Sequence, residues 1–226
     1  MEWSDVQKLP EIWLNLGGRS NCHPRPGYEN YVAVDLEPVA DGWAVGHDLR
    51  KPLPLPDNSV SRIITEDFVE HIRPEEIARL LVECHRVLKP GGHLRIACPD
   101  YNNPKDRHAF DGSPHDIRNP LHITRTDYPM MQSLLGASPF SDIRFYHYWD
   151  GDTFIQKPFD PALGPVKRTP DNDSRCRRGN VFKLIRGLFS DAWFKFSRGG
   201  NYTEAEFLAR KGHRLYITSI VVDLFR

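Results

Sequence analysis

Two adjacent glycines, Gly17-Gly18, follow directly on the apolar run Ile12-Trp13-Leu14-Asn15-Leu16. With no Cβ in the way, backbone at such a point can come close to a bound ligand. Asp35 closes the next apolar run, Tyr31-Val32-Ala33-Val34. A carboxylate there can accept both hydroxyl hydrogens of a ribose, a charge-assisted pairing that a neutral side chain matches less strongly. Asp48, Glu66 and Asp100 end or directly follow three further runs. For proton transfer the candidates are His122, then Asp150, then Asp100, because an imidazole titrates near neutrality and the aspartates can orient it or an acceptor. Together with His147 and Asp152 these three have the donor types of a divalent-cation site. Their spacing does not argue for one, and no metal ligand is expected. Glu70 and His71 are read as structural, a histidine after an acid at a helix start satisfying local backbone groups.

The elements that must position these residues can be read from pattern. Residues 12–16 and 31–35 look like buried parallel strands, short apolar runs closed by turn or polar residues. Residues 43–48 make a weaker third strand, and Val60-Ser61-Arg62-Ile63-Ile64-Thr65 a fourth, after a linker carrying Pro52, Pro54 and Pro56. A helix follows. Pro74 suits its first position, Glu75 and Glu76 face its N-terminal dipole, and Ile77, Leu80, Leu81, Cys84, Val87 and Leu88 form one stripe, with Pro90-Gly91-Gly92 ending it. Leu94 to Cys98 is a fifth strand delivering Pro99-Asp100-Tyr101. Such alternation implies an α/β, Rossmann-like, doubly wound sheet, mainly parallel. In that architecture a ligand sits at the carboxyl ends of the strands, where all these polar residues fall.

Residues 102–141, rich in Asn, Asp, His and Pro, are expected to face an acceptor, as are residues 150–212. Residues 142–149 and 215–225 alternate sides as an antiparallel pair should, closing the far edge of the sheet, with Tyr216, Thr218, Ile220, Val222 and Leu224 on one face. The ring cluster Phe145, Tyr146, Tyr148 and Trp149 is read as strand core. Helices are expected at 181–196 and 203–211. One domain spanning residues 1–226 accounts for the pattern, with its ligand-binding core at 12–101.

Lys plus Arg equals Asp plus Glu at 30 each, so net charge advertises no nucleic-acid or anionic membrane partner. The four cysteines form no C-x-x-C pair and read as thiols of a reducing compartment. No apolar run approaches membrane-spanning length, and the first residues lack a basic, then apolar leader pattern. A cytoplasmic location is expected.

Against this background the order Leu14-Asn15-Leu16-Gly17-Gly18, Pro26-Gly27-Tyr28, Val34-Asp35, His47-Asp48-Leu49, Leu53-Pro54-Leu55-Pro56-Asp57-Asn58-Ser59, Glu70-His71-Ile72 and Val87 to Ile96 resembles class I S-adenosylmethionine-dependent methyltransferases, particularly small bacterial and viral members associated with glycan modification. The resemblance covers residues 12–101 and implies their seven-stranded fold with an antiparallel C-terminal edge strand, and S-adenosylmethionine as cofactor. It also implies that Asn15, Gly17, Gly18, Arg19, Asp35, Leu36, Asp48, Leu49 and Glu66 bind the cofactor. The glycines would line its methionine end, Asp35 would hold the ribose diol, Asp48 and Leu49 would meet adenine, and Glu66 would begin a flanking loop. The chain departs from the pattern at Asn15, where many relatives carry an acid, and at Arg19, where many carry glycine; Arg19 has the charge to pair with the cofactor carboxylate.

The polar insert suits a hydroxylated acceptor, so the expected reaction is O-methylation of a sugar hydroxyl of a glycan, the acceptor being a small molecule or an oligosaccharide and not a nucleic acid. A small-molecule O- or N-methyltransferase is the nearest alternative. An NAD-dependent oxidoreductase would want the fuller G-x-G-x-x-G turn, which Gly17-Gly18-Arg19-Ser20-Asn21-Cys22 does not provide. A non-catalytic nucleoside-binding module is a third reading.

Overall fold

The computed structural model describes residues 1–18, 27–37, 43–103, 106–166, 189, 192–199 and 219–226. A short helix, α1 (Trp3–Val6), precedes the strands β1 (Ile12–Leu16), β2 (Val32–Asp35), β3 (Ala44–Gly46), β4 (Val60–Glu66), β5 (Leu88–Pro99), β6 (Asp142–Asp150), β7 (Thr153–Gln156) and β8 (Ser219–Phe225). They form one sheet in the order β3-β2-β1-β4-β5-β8-β6-β7. The first five are mutually parallel. β8 runs antiparallel to both β5 and β6. Strand order reverses between β1 and β4, which sets the carboxyl ends of β1, β2, β4 and β5 around one crevice.

The apolar runs are strands because both faces are covered. Leu14, Leu16, Val32, Val34, Val60, Ile63, Leu94 and Ile96 are buried in one cluster with Ile77, Leu80, Leu81, Cys84 and Val87 of α2 (Pro74–Val87). The opposite face buries Tyr28, Tyr31 and Ile64 in one small cluster and Ala97, Val166 and Val221 in another. α2 begins as the sequence implies, with Pro74 in its first turn and the Glu76 carboxylate accepting from Arg73 N at 2.8 Å.

Three details differ from the sequence pattern. Helix α2 ends at Val87, and Leu88 is already β5, so Pro90-Gly91-Gly92 lies inside a strand and not after a helix. The register jumps there, from Val60 opposite Leu88 to Arg62 opposite His93. Gly91 takes a positive φ of 78°, and a Cβ on Gly92 would come within 2.9 Å of Lys89 O, so the bulge needs both glycines. At the far side, β8 is the antiparallel strand expected from the C-terminal pattern, but it lies between β5 and β6, and all of Ser219–Leu224 is buried. The outer edge is β7, an eighth strand joined to β6 through the turn Gly151-Asp152 with Asp150 opposite Thr153. Within the polar segment, α3 (Tyr128–Gly136) packs against α2 and β6; the Asp127 side chain caps it by accepting from Met130 N.

Trp149 is fully buried, while Phe145 and Tyr148 pack partly buried against the core, as expected of strand core. Tyr148 also stacks on Tyr128 with ring centroids 3.9 Å apart. Cys84 and Cys98 are buried thiols. Phe189 and residues 192–198 are helical; the rest of the helix expected over 181–196, the whole of that over 203–211, Tyr216, Thr218, Cys22 and Cys176 lie outside the described residues. Among the described residues no helix is long and apolar enough to cross a membrane.

Candidate functional site

The crevice is lined first by the turn after β1. Gly17 has φ of 71°, and its N–H donates to Val34 O at 2.8 Å, holding the turn against β2. A Cβ there would stand 2.6 Å from the Phe68 side chain. Gly18 is similarly tight, its added Cβ falling 2.7 Å from the Asn15 amide. Asn15 is itself buried. Asp35 sits half-buried at the end of β2, its carboxylate accepting from Glu37 N at 3.3 Å. Leu36, next along, is exposed. Arg19 lies outside the described residues.

After β3, Asp48 forms a two-pronged pair with Arg50, at 2.8 and 2.9 Å, which together with Arg50 N holds its carboxyl down at about 2. The Leu49 side chain is buried in the main core cluster with Leu53 and Leu55. At the end of β4 Glu66 is buried and accepts a hydrogen bond from the Tyr28 hydroxyl. Asp67 then takes a positive φ of 52°, and this turn sends Phe68 back against Gly17 and opens the 3-10 turn Val69–His71.

That short turn carries what the sequence reading set aside as structural. Glu70 is fully buried, and its Oε1 lies 4.0 Å from His71 Nε2 and 3.9 Å from His122 Nε2. The two imidazoles meet edge to face at 4.7 Å. His122 arrives from the polar insert because Ile123 N and Thr124 N both donate to Glu70 O, at 2.9 and 3.0 Å, while Thr124 Oγ1 donates to Ile72 O and Thr126 Oγ1 to Pro99 O. Each ring is held by its other nitrogen, His71 Nδ1 against Leu121 O at 2.9 Å and His122 Nδ1 against the Tyr101 hydroxyl at 2.6 Å. Tyr101 in turn reaches Asp116 Oδ2 at 2.9 Å. Burial and the Asp116 carboxylate push the Tyr101 phenol well above its ordinary range.

Of the three proton-transfer candidates, His122 is in this cluster. Asp100, just past β5, is buried and accepts from Trp149 N at 2.7 Å and Asn102 N at 3.0 Å. Burial raises its carboxyl to about 7 despite those two bonds. Asp150, next to Trp149, is exposed at the end of β6. The five-residue cation set raised from the sequence is not assembled: among the described residues Glu70, His71 and His122 form the one such group, Asp152 pairs with Arg107 at 2.5 Å, and His147 packs on Phe154 and Phe159. No sequence periodicity links Glu70 to Tyr101, Asp116 and His122, which lie beyond α2 and β5.

Residues 17–96 match the family described as "Methyltransferase domain". A Mycolicibacterium smegmatis protein named a probable S-adenosylmethionine-dependent methyltransferase is 29% identical over 96 residues, 42% of this chain and 34% of the relative. One of the same description from Mycobacterium tuberculosis is 32% identical over 91 residues, 40% of this chain and 30% of the relative. The chain thus spans about a third of the length of these curated relatives. The crystal structure of a SAM-dependent methyltransferase from Archaeoglobus fulgidus superposes with a TM-score of 0.55 at 16% identity, covering 99% of this chain and 90% of that one, and shares its fold. Over residues 17–96 the chain is similar to the methyltransferase-domain family, and its fold is that of a solved S-adenosylmethionine-dependent methyltransferase.

Proposed function

We propose that the protein is a methyltransferase that moves a methyl group onto a hydroxyl of a small acceptor, a sugar hydroxyl of a glycan being the class that fits best. The observation that carries this reading is the packing of Gly17 against Phe68, which joins a backbone-lined crevice on one side to the Glu70–His71–His122 cluster on the other. S-adenosylmethionine supplies the methyl group as an activated sulfonium. The residues present suit it: Gly17 keeps the crevice wall free of a side chain, Asp35 holds the ribose diol, and Asn15, Gly18, Leu36, the Asp48-Leu49 turn and Glu66 complete the wall, with Arg19 assigned to the cofactor carboxylate. What the chain contributes to such a displacement is chiefly alignment, which supplies on the order of 7 to 11 kcal/mol.

An alcohol must lose its proton as the new C–O bond forms. We assign that proton to the neighbourhood of His122, with Asp100 as a positioning residue that fixes the β6 end through Trp149 N, and Asp150 as an acceptor contact at the rim. The Asn, Asp and His content of the segment over residues 102–127 supports a hydroxylated acceptor.

Calorimetry with S-adenosylmethionine and with NAD, followed by S-adenosylhomocysteine release across deoxysugars, oligosaccharides and aromatic alcohols, tests the reading. Binding of the sulfonium alone and turnover on a sugar are expected. Asp35→Ala should weaken cofactor binding by about tenfold or more, the loss of charged hydrogen bonds of about 1.5–3 kcal/mol. Undiminished binding in that variant, or heat with NAD alone, would sink the assignment.

A further inference from the structure

We propose that Glu70, His71 and His122 bind one divalent transition-series cation of the zinc class, which holds the acceptor hydroxyl. The protonation pattern of the two rings carries the argument. The Leu121 carbonyl can only accept, so the proton of neutral His71 sits on Nδ1 and its lone pair on Nε2. The Asp116 carboxylate, which burial works to raise but Arg118 holds below its ordinary value, takes the single Tyr101 hydroxyl proton. The Tyr101 oxygen must therefore accept from His122 Nδ1, and neutral His122 too presents a lone pair at Nε2. Two imidazole lone pairs and a buried carboxylate oxygen thus converge within 4.8 Å of one another. Their separations of 3.9 and 4.0 Å exceed a hydrogen bond but are close to the roughly 3.3 Å between ligands of a tetrahedral ion with bonds of about 2.0–2.1 Å.

The surroundings are those of a metal site. Each ring nitrogen away from the convergence point is tied to an oxygen, and the Asp116–Tyr101–His122 chain fixes tautomer and orientation as outer partners of metal-bound histidines do. Two nitrogens and one carboxylate select a zinc-class ion over Mg²⁺ or Ca²⁺. Glu70 is fully buried while the His71 side chain is 32% exposed, so a further ligand enters from the His71 side. The cation's role rests on the methyltransferase reading: it lowers the pKa of the acceptor hydroxyl, whose proton leaves to water as the sulfonium C–S bond breaks and the O–CH₃ bond forms.

The test is competition between the EDTA-treated chain and a chromophoric chelator for Zn²⁺, with Mg²⁺ as the counter-probe and Co²⁺ for its visible spectrum. One Zn²⁺ per chain, imidazole-type Co²⁺ bands and no competition by Mg²⁺ are expected. His71→Ala and His122→Ala, each checked for a native unfolding transition, should abolish tight binding. Tyr101→Phe should weaken it about 10- to 100-fold while leaving all three ligands in place. No Zn²⁺ bound by the folded chain, or binding unchanged in both histidine variants, overturns the site. S-adenosylmethionine binding is measured on the same samples: Zn²⁺ bound without it supports the site and removes the methyltransferase reading, and the reverse result overturns the site alone.

Discussion

Two fully buried acids in this molecule are handled in opposite ways. Asp223 of β8 faces Arg95 of β5 in register, with both side chains 0% exposed and two parallel bonds of 2.7 Å. Two further guanidinium N–H groups donate to Asp160 O and Gly164 O, so the pair also ties the chain after β7 onto the sheet. Glu70 is just as buried, yet it has two histidine nitrogens beyond hydrogen-bond range, each turned towards it by a partner on the ring's other side. Burial alone therefore does not tell a structural charge from a chemical one. The proposed cation site supplies the distinction: a guanidinium fork faces Asp223, whereas Glu70 and two imidazole nitrogens face a common point.

The largest effect should come from breaking the satisfied pair. Arg95→Met leaves the Asp223 carboxylate in the interior without its guanidinium, a change that typically costs about 3–5 kcal/mol. Urea unfolding should show that loss, and the double change Arg95→Met with Asp223→Leu should recover much of it, because no charge is then stranded. A single variant as stable as the double one would remove the distinction drawn above.

Glu70→Gln sharpens the same comparison with the opposite sign. Functional sites commonly hold stability below its optimum, and neutralising an acid that gathers lone pairs should leave the cation-free chain as stable or more stable, by up to about 2 kcal/mol. The same variant should lose Zn²⁺ binding. A destabilisation equal to that of Arg95→Met would assign Glu70 a structural role.

How far these two regions could be read beforehand differs for physical reasons. β1, β2, β4 and β5 are legible because strands buried on both faces must be short apolar runs, and the crevice residues Gly17 and Asp35 follow from where those runs stop. The same logic hides β8's place: Val221 and Asp223 are buried like Ile220 and Val222, because both faces of the sheet are covered there. β7 has only Thr153–Gln156 to show, although the Gly151-Asp152 turn before it is a usable hairpin signal. The glycines of the β5 bulge read as a helix stop, since a register jump leaves no periodic trace. His122 was found by residue type, but its meeting with Glu70 and His71 depends on backbone bonds from Ile123 and Thr124 across an irregular segment, which no local pattern encodes. The roles of Tyr101 and Asp116 appear only once that segment is folded.

Asp100 lies between the two extremes and should give the smallest effect. Its carboxyl is buried, which raises it from 3.8 to about 7, but it accepts from two backbone N–H groups that favour its charged form. In Asp100→Asn one of those donors would face an amide NH₂ in place of an oxygen, a loss of about 1 kcal/mol. The pH dependence separates this from a simple packing defect. Between roughly pH 4 and 7 the folded chain keeps a proton on Asp100 that the unfolded chain has released, so the folded state binds more protons and stability falls as pH rises. Below that window both states are protonated, above it both are ionised, and in either range the slope from this residue vanishes. The stability of the parent chain relative to Asp100→Asn, from urea midpoints at pH 4 to 8, should therefore decline to about pH 7 and then level off. A difference independent of pH would mean that the two backbone N–H groups outweigh burial, placing Asp100 with the satisfied charge of Asp223.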